Sequence, residues 1–117
     1  GSSALFVYLL IGTHFCEDVV FPRVATDGQL STDWATHALA TSADWSPKSR
    51  IAALVAGGAN AHAAHHLFPN ICHAHYRWIS PIIAEAAADF GIQYNAMTLP
   101  AMIASHFRLL RRLGSAE

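Results

Sequence analysis

Three histidines in one short segment carry the strongest chemical signal in this sequence. They are spaced as His62-Ala63-Ala64-His65-His66. Residues at i, i+3 and i+4 lie on one face of an α-helix, so a helix here presents three imidazoles along one stripe. Neutral imidazole is the commonest metal ligand in proteins, and burying it without a metal or partner costs about 1–3 kcal/mol per unsatisfied group. The spacing therefore predicts a transition-metal site.

Further histidines lie outside this segment. The chain has 8 histidines among 117 residues, a density that core packing does not require. His37, His73 and His75 are the candidates to extend the ligand set, whereas His14 and His106 are interpreted as single core or cap residues. His73 and His75 cannot share one helical face. This favours a role as polar residues at a helix start, or as partners that orient a metal ligand.

Two groups of charged residues each allow two interpretations. Asp33 lies one turn before His37, where it could hold a metal-bound water or orient the ring. The preferred interpretation is a simple first-turn carboxylate, which the helix dipole favours. Arg108, Arg111 and Arg112 cluster near the end of the chain. They indicate a solvated helix end, and contact with lipid head groups is the minor alternative.

Composition indicates one small, apolar domain. Hydrophobic residues make up 53% of the chain and charged residues only 13%, against about 25% charged in average soluble domains. The longest apolar run, residues 4–12, is shorter than the roughly 18 residues of a membrane span. It also lacks the basic start of a signal peptide. We expect one domain over residues 4–114, with Gly1-Ser2-Ser3 as a tag remnant.

Net charge and cysteine content bear on the binding partners and on the cellular compartment of the chain. A formal net charge of −1 provides no field to attract nucleic acid. Cys16 and Cys72 are far apart and show no CxxC spacing. They predict reduced thiols in a cytosolic setting rather than a disulfide framework.

Caps and apolar periodicity predict an all-α fold of about five helices. The alternation of β-branched residues that strands require is absent. The predicted helix starts are residue 4, Ser31 or Thr32, Ser46-Pro47, Asn60, Cys72 and Thr98. The predicted ends are about Val20, Gly57-Gly58, the residue before Pro69, Gly91 and Gly114. Ser80-Pro81 should restart or kink its helix, and the buried stripe of the last helix should comprise Leu99, Ile103, Phe107 and Leu110.

Several motifs together carry a family resemblance. They are Gly57-Gly58-Ala59-Asn60, the segment HAAHHLFP from His62 to Pro69, the segment ICHAHY from Ile71 to Tyr76, and Ile79-Ser80-Pro81-Ile82. With these flanks, the sequence resembles the C-terminal part of membrane fatty acid desaturases, most closely the branch that acts on acyl-lipids and acyl-CoA. The segments from Trp34 to His37 and from Thr41 to Trp45 resemble the part of the family that brings an additional histidine ligand. The likeness runs from about Thr13 to Tyr94.

The resemblance implies a metal, a reaction and partners. His62, His65 and His66 correspond to the third histidine box of the family, and His37 corresponds to the additional ligand. In that family, histidines from three boxes hold two irons, which activate O2 and remove hydrogens from an acyl chain to leave a double bond. Electrons come from a b-type cytochrome or a ferredoxin. The histidine boxes lie at the cytosolic face of a membrane.

The sequence also departs from the family pattern. Outside residues 62–66 it contains no HxxxH and no second HxxHH, so it offers at most four iron histidines. We expect the C-terminal iron-binding portion of an acyl desaturase, inactive alone, either excised from a longer protein or a small soluble cytoplasmic product. One alternative is a stand-alone helical metal-binding module derived from the desaturase fold. Another is a helical domain whose histidines are vestigial.

The apolar composition predicts self-association. Small domains bury a smaller share of their surface than large ones, and exposed apolar patches generally mark partner sites. We therefore expect a homo-oligomer, most simply a dimer, with the first helix in its interface.

Overall fold

The chain folds into short helices around small apolar cores, as a computed structural model describes for residues 2–115. Within that range the elements are α1 (Ser2–Ile11), α2 (Trp34–Ala40), β1 (Asp44–Trp45), α3 (Arg50–Val55), α4 (His62–Leu67), a 3-10 turn (His73–His75), α5 (Tyr76–Asp89), β2 (Ala96–Met97) and α6 (Leu99–Gly114). The prediction of a small, mainly helical domain is confirmed. Gly1 lies outside the described residues, whereas Ser2 and Ser3 belong to α1.

Three helices have an N-cap residue whose side chain accepts a hydrogen bond from the backbone N–H three residues later. These caps are Asp33 for α2, Ser49 for α3 and Thr98 for α6. The Thr98 cap is as predicted, but Asp33 caps α2 instead of Ser31 or Thr32, and Ser49 caps α3 instead of Ser46. Ser46 adopts φ +46°, a left-handed conformation that a helix cap, which needs extended backbone, does not have.

Helix α1 is shorter than the sequence predicts, because it ends at Ile11 rather than near Val20. Gly12 follows, and a Cβ there would lie 2.7 Å from Cε of Met102 in α6. A side chain at this position would therefore displace the end of the Met102 side chain. The chain then turns, and the carbonyl of Thr13 accepts a hydrogen bond from the N–H of Ala43 at 2.8 Å, which holds the turn against β1.

Helix ends elsewhere follow the predicted glycines. Gly57, Gly58 and Gly91 adopt φ +58°, +84° and +65°, the left-handed conformation that terminates helices. Helix α5 continues through Pro81 without restarting. The preceding Ser80 donates its hydroxyl to the carbonyl of Tyr76 at 3.0 Å.

A two-residue parallel pairing was not predicted. Asp44 lies opposite Ala96, and Trp45 lies opposite Met97. The N–H of Asp44 donates to the carbonyl of Asn95 at 2.8 Å. This contact is too short to show a strand pattern in the sequence, yet it fixes the position of Asp44 beside α4.

Two main clusters of buried apolar residues form the core. One comprises Leu39, Ala61, Ala63, Ala64, Tyr76, Ile83 and Ala87. The other comprises Leu9, Trp45, Ala52, Ala56 and Met102. Within residues 2–115, none of the helices combines the length and apolar character needed to cross a membrane.

The predicted buried stripe of α6 is wrong for its second half. Phe107 and Leu110 are 59% and 48% exposed. The inner face carries Met102, Ser105, His106 and Leu109 instead. Two residues of this face also make polar contacts, since Ser105 donates to the Asp18 carboxylate and His106 donates to the carbonyl of Phe15.

Candidate metal centre

Three imidazole rings from two separate segments meet at one point. The Nε2 atom of His14 lies 2.7 Å from Nε2 of His62 and 3.3 Å from Nε2 of His66. One nitrogen from each of the three rings lies within 4.8 Å of the other two. His62 is buried, and His14 and His66 are half-buried. The three nitrogens therefore form a donor set of the size that one metal ion requires.

Helix α4 supplies two of the rings. His62 and His66 are four residues apart and so project from the same face, one turn from each other. The intervening Ala63 and Ala64 are 2% and 0% exposed and pack into the core with Tyr76. Their small side chains set the rotation of α4, which turns His62 and His66 toward His14.

A buried carboxylate anchors the start of α4. Oδ1 of Asp44 accepts a hydrogen bond from the N–H of Ala63 at 2.8 Å, and Oδ2 accepts one from the hydroxyl of Tyr94 at 2.6 Å. Burial raises the pKa of Asp44 to about 6, although both hydrogen bonds act in the opposite direction. The pKa of Tyr94 is raised by its burial and by the charge of Asp44.

The predicted cap of α4 has a different role. The amide of Asn60 donates to the carbonyls of Trp45 and Ser46 at 3.2 and 3.1 Å, and Ala61 precedes the helix without a side-chain cap. Asn60 therefore ties α4 to β1, while the Asp44 carboxylate accepts the hydrogen bond from the backbone N–H at the helix start. The sequence could not show this, because Asp44 is nineteen residues from Ala63.

His14 comes from the turn after α1, and its second nitrogen is fixed. Nδ1 of His14 lies 3.0 Å from the carbonyl oxygen of Thr41. A carbonyl can only accept, so Nδ1 carries the hydrogen. A neutral His14 then directs an unprotonated Nε2 at His62 and His66. A backbone carbonyl that orients the ring in this way is typical of metal-ligating histidines.

The surroundings favour the uncharged form of the two histidines on α4. Burial, followed by the neighbouring imidazoles of His14, His66 and His65, lowers the pKa of His62 to about 3. The Ala59 carbonyl opposes this shift weakly, but it is not in hydrogen-bonding geometry with His62. Burial and the imidazoles of His14, His65 and His37 also lower the pKa of His66. Neutral imidazole is the form that binds metal.

The sequence-predicted ligands His37, His62, His65 and His66 are thus only partly brought together. His65 is exposed, with its ring centre 5.6 Å from that of His62 and 5.8 Å from that of His66. His37 is half-buried on α2 and close enough to influence the pKa of His66. Their assignment as ligands stays a prediction.

His14 is the member of the cluster that the sequence alone does not identify, because its position predicts only a core or cap residue. The high histidine content was the available signal, but nothing in the spacing singled out His14. His106, by contrast, is buried and donates to a backbone carbonyl, as a structural histidine does. His73 and His75 are exposed on the 3-10 turn, and Asp33 caps α2 by accepting from the N–H of Thr36 at 3.0 Å.

The donor set fits a metal ion better than it fits the protein alone. The Nε2 lone pair of His14 can accept one good hydrogen bond, yet two Nε2 atoms lie within 3.3 Å of it. Among the described residues, the buried Nδ1 of His62 also has no hydrogen-bond partner. A cation would satisfy all three Nε2 atoms together. Imidazole donors suit iron, zinc, copper and nickel.

Comparison with known proteins decides the family. The family model described as fatty acid desaturase matches residues 2–98. The chain belongs to the fatty acid desaturase family. The matched region contains all three clustered histidines, together with Asp44 and Tyr94 that support them.

Curated desaturases resemble the chain over most of its length. It is 35% identical over 114 residues to the acyl-lipid (8-3)-desaturase of Physcomitrium patens, covering 97% of this chain and 24% of that protein. It is 37% identical over 91 residues to the sn-1 linoleoyl-lipid 6-desaturase of Synechocystis sp., covering 77% of this chain and 25% of that protein. The chain spans about a quarter of the length of these desaturases. No solved structure matches it significantly.

Proposed function

We propose that this desaturase segment supplies part of the iron-binding site of an O2-dependent acyl desaturase, and that the segment alone does not desaturate acyl chains. The observation that carries the proposal is the convergence of the Nε2 atoms of His14, His62 and His66. Two of these histidines belong to the HxxHH segment through which the chain resembles the family's third histidine box.

Each residue has a definite part in the proposed site. His14, His62 and His66 hold the metal, the Thr41 carbonyl orients the His14 ring, and Asp44 holds α4 in register. His37 and His65 stand beside this group as further ligands. Iron, when bound, supplies the activation of O2 and the oxidation of the acyl chain.

We assign a pair of irons only to a complete desaturase site, in which other histidine boxes add their ligands to this segment. Three clustered histidines suffice to hold one ion, and His37 and His65 do not complete a second set in the described residues. The remaining ligands come from the other histidine boxes of the family. This is the physical reason for expecting no desaturation by the segment alone.

The relatives guide the proposed substrate and setting. They are named as acyl-lipid and linoleoyl-lipid desaturases, so we assign an acyl-lipid substrate to the complete site, with acyl-CoA as the alternative carrier. A b-type cytochrome or a ferredoxin supplies the electrons. The segment lies at the cytosolic face of a membrane.

Metal analysis tests this proposal directly. The purified chain is reconstituted with Fe(II) under anaerobic conditions, desalted, and measured for bound iron. We expect binding by the wild type, loss in the His62→Ala and His66→Ala variants, and retention in His75→Ala, because His75 is an exposed histidine outside the cluster. Equal iron content in all four proteins would refute the metal site.

An activity assay tests the second half of the proposal. Iron-loaded chain is incubated with O2, a reductase system and acyl-lipid or acyl-CoA, and the acyl products are analysed by mass spectrometry. We expect no unsaturated product. A product that depends on both iron and protein would show that the segment is a complete enzyme.

A further inference from the structure

A second cavity rich in positive charge lies outside the histidine cluster. It has a volume of about 330 Å³ and lies between α3 on one side and the 3-10 turn and the start of α5 on the other. Its polar side chains are Arg50, Arg77 and His73, and none of the acidic residues in the described part of the chain lines it. Neither arginine forms an ion pair within residues 2–115. Two arginine side chains therefore line one cavity, and within residues 2–115 no acidic side chain pairs with them.

Local packing orders two of the lining residues, Arg77 and His73. The guanidinium carbon of Arg77 lies 4.0 Å from the centre of the Trp78 ring, a cation–π contact that orients the group without neutralising it. Gly58 lies against the 3-10 turn, since a Cβ there would be 2.8 Å from Cβ of His73. Glycine at this position lets the turn approach α3 and brings His73 to the cavity wall.

We propose that this cavity binds a phosphate group, held by Arg50 and Arg77 with His73 as an additional donor. A guanidinium presents parallel N–H donors that match phosphate oxygens, and such charge-assisted hydrogen bonds are about twice as strong as neutral ones. A ligand with two or more anionic oxygens satisfies both arginines at once. The phosphate belongs to a phospholipid head group or to a soluble phosphoester.

The position of the cavity connects it with the histidine cluster. Gly57 and His73 also line a neighbouring cavity of about 310 Å³, whose other walls include His62 and His65. A phosphoester bound by the arginines can therefore extend its other end toward the metal centre. This last step rests on the proposed function, whereas phosphate binding itself does not.

Calorimetric titration of the metal-free chain with inorganic phosphate tests the site. We expect binding that weakens at least ~tenfold, about 1.4 kcal/mol, in the Arg50→Gln/Arg77→Gln double variant. The Arg111→Gln variant is the matched control, because Arg111 is an exposed arginine on α6 that does not line the cavity. Flotation with vesicles of phosphatidylcholine, with and without phosphatidic acid, then distinguishes the sources. Retention on the acidic vesicles alone assigns a lipid head group, and phosphate binding without retention assigns a soluble phosphoester.

Two results would overturn the proposal: no phosphate binding by the wild type, or equal affinity in the double variant. If the double variant does not fold, NMR of the wild type decides, because bound phosphate must shift the Nε–H signals of Arg50 and Arg77. The His66→Ala variant separates this proposal from the metal site. It should lose iron and keep phosphate, and the arginine double variant should do the reverse.

Discussion

The Nε2 atom of His14 lies 2.7 Å from the Nε2 atom of His62, although 48 residues separate them in the chain. His62 comes from a helix that the sequence predicts, whereas His14 comes from the turn that ends α1. This one contact converts a pair of helical histidines into a three-nitrogen donor set. It depends on two supports, the Thr41 carbonyl for His14 and the Asp44 carboxylate for α4.

His14→Ala should weaken metal binding as strongly as His62→Ala does. The reason is that the structure makes His14 an equal member of the donor set. Titration with Zn(II) or Ni(II) by calorimetry measures this, with exposed His75→Ala as the control. Binding should also weaken at acid pH, because protons compete with the metal for imidazole. Wild-type affinity in His14→Ala would remove His14 from the site.

The metal-free protein should lose stability as the pH falls below about 6.5. The pKa of His62 is about 3 in the folded chain, against an ordinary value of 6.5 for histidine, so the unfolded chain binds more protons in this window. The contribution is fully present above pH 6.5 and is lost as the pH falls toward 3. Asp44, with a raised pKa of about 6, acts in the opposite direction between about pH 6 and 4.

Urea unfolding at several pH values isolates the histidine contribution. The dependence of the unfolding free energy on pH should be shallower in His62→Gln than in the wild type, because the substituted side chain does not titrate. Parallel pH profiles for the two proteins would contradict the low pKa of His62.

Tyr94→Phe should destabilise the fold by about 1–3 kcal/mol, because it leaves Oδ2 of the buried Asp44 without its hydrogen bond. Tyr76→Phe is the matched control. Its hydroxyl makes a longer bond of 3.3 Å to the carbonyl of Phe68, so the same substitution should cost less. Thermal unfolding followed by circular dichroism compares the two. A larger loss in Tyr76→Phe would argue against Asp44 as the anchor of α4.

The two cysteines should react at very different rates. Cys16 is 0% exposed, whereas Cys72 is exposed. With a thiol reagent such as dithionitrobenzoate, the native chain should show one fast thiol, and Cys72→Ser should abolish the fast phase. Both thiols should react in urea. A fast phase that survives in Cys72→Ser would mean that the core around Cys16 opens readily.

Self-association through α1 remains a prediction. The exposure of the α1 side chains shows which substitutions can test it without disturbing the core. Leu5, Val7 and Ile11 are 58%, 50% and 41% exposed, whereas Leu9 is 7% exposed and packs in a core. Val7→Lys should therefore convert a dimer into a monomer without unfolding, and Leu9→Lys should unfold the chain. Light scattering measures the mass, and a wild-type monomer at high concentration would contradict the prediction.

Local chemistry was readable from the sequence alone. The His62–His66 spacing, the left-handed glycines at 57 and 58, the Thr98 cap and the stop before Pro69 each depend on neighbours within one or two turns of backbone. The family resemblance also rests on a contiguous motif. These features needed no knowledge of how distant segments pack.

Tertiary packing decided which histidines meet. The burial of Ala63 and Ala64 rotates α4 so that His66 faces the cluster and His65 faces solvent. Helix α1 ends at Ile11, and the turn after it brings His14 to His62 and His66 of α4. Asp44 reaches the start of α4 through the short β1–β2 pairing and through the hydrogen bonds between Asn60 and β1. Each of these features depends on contacts between residues that are far apart in the chain. Periodicity and capping describe only near neighbours. The sequence could therefore predict a metal site but not its third ligand.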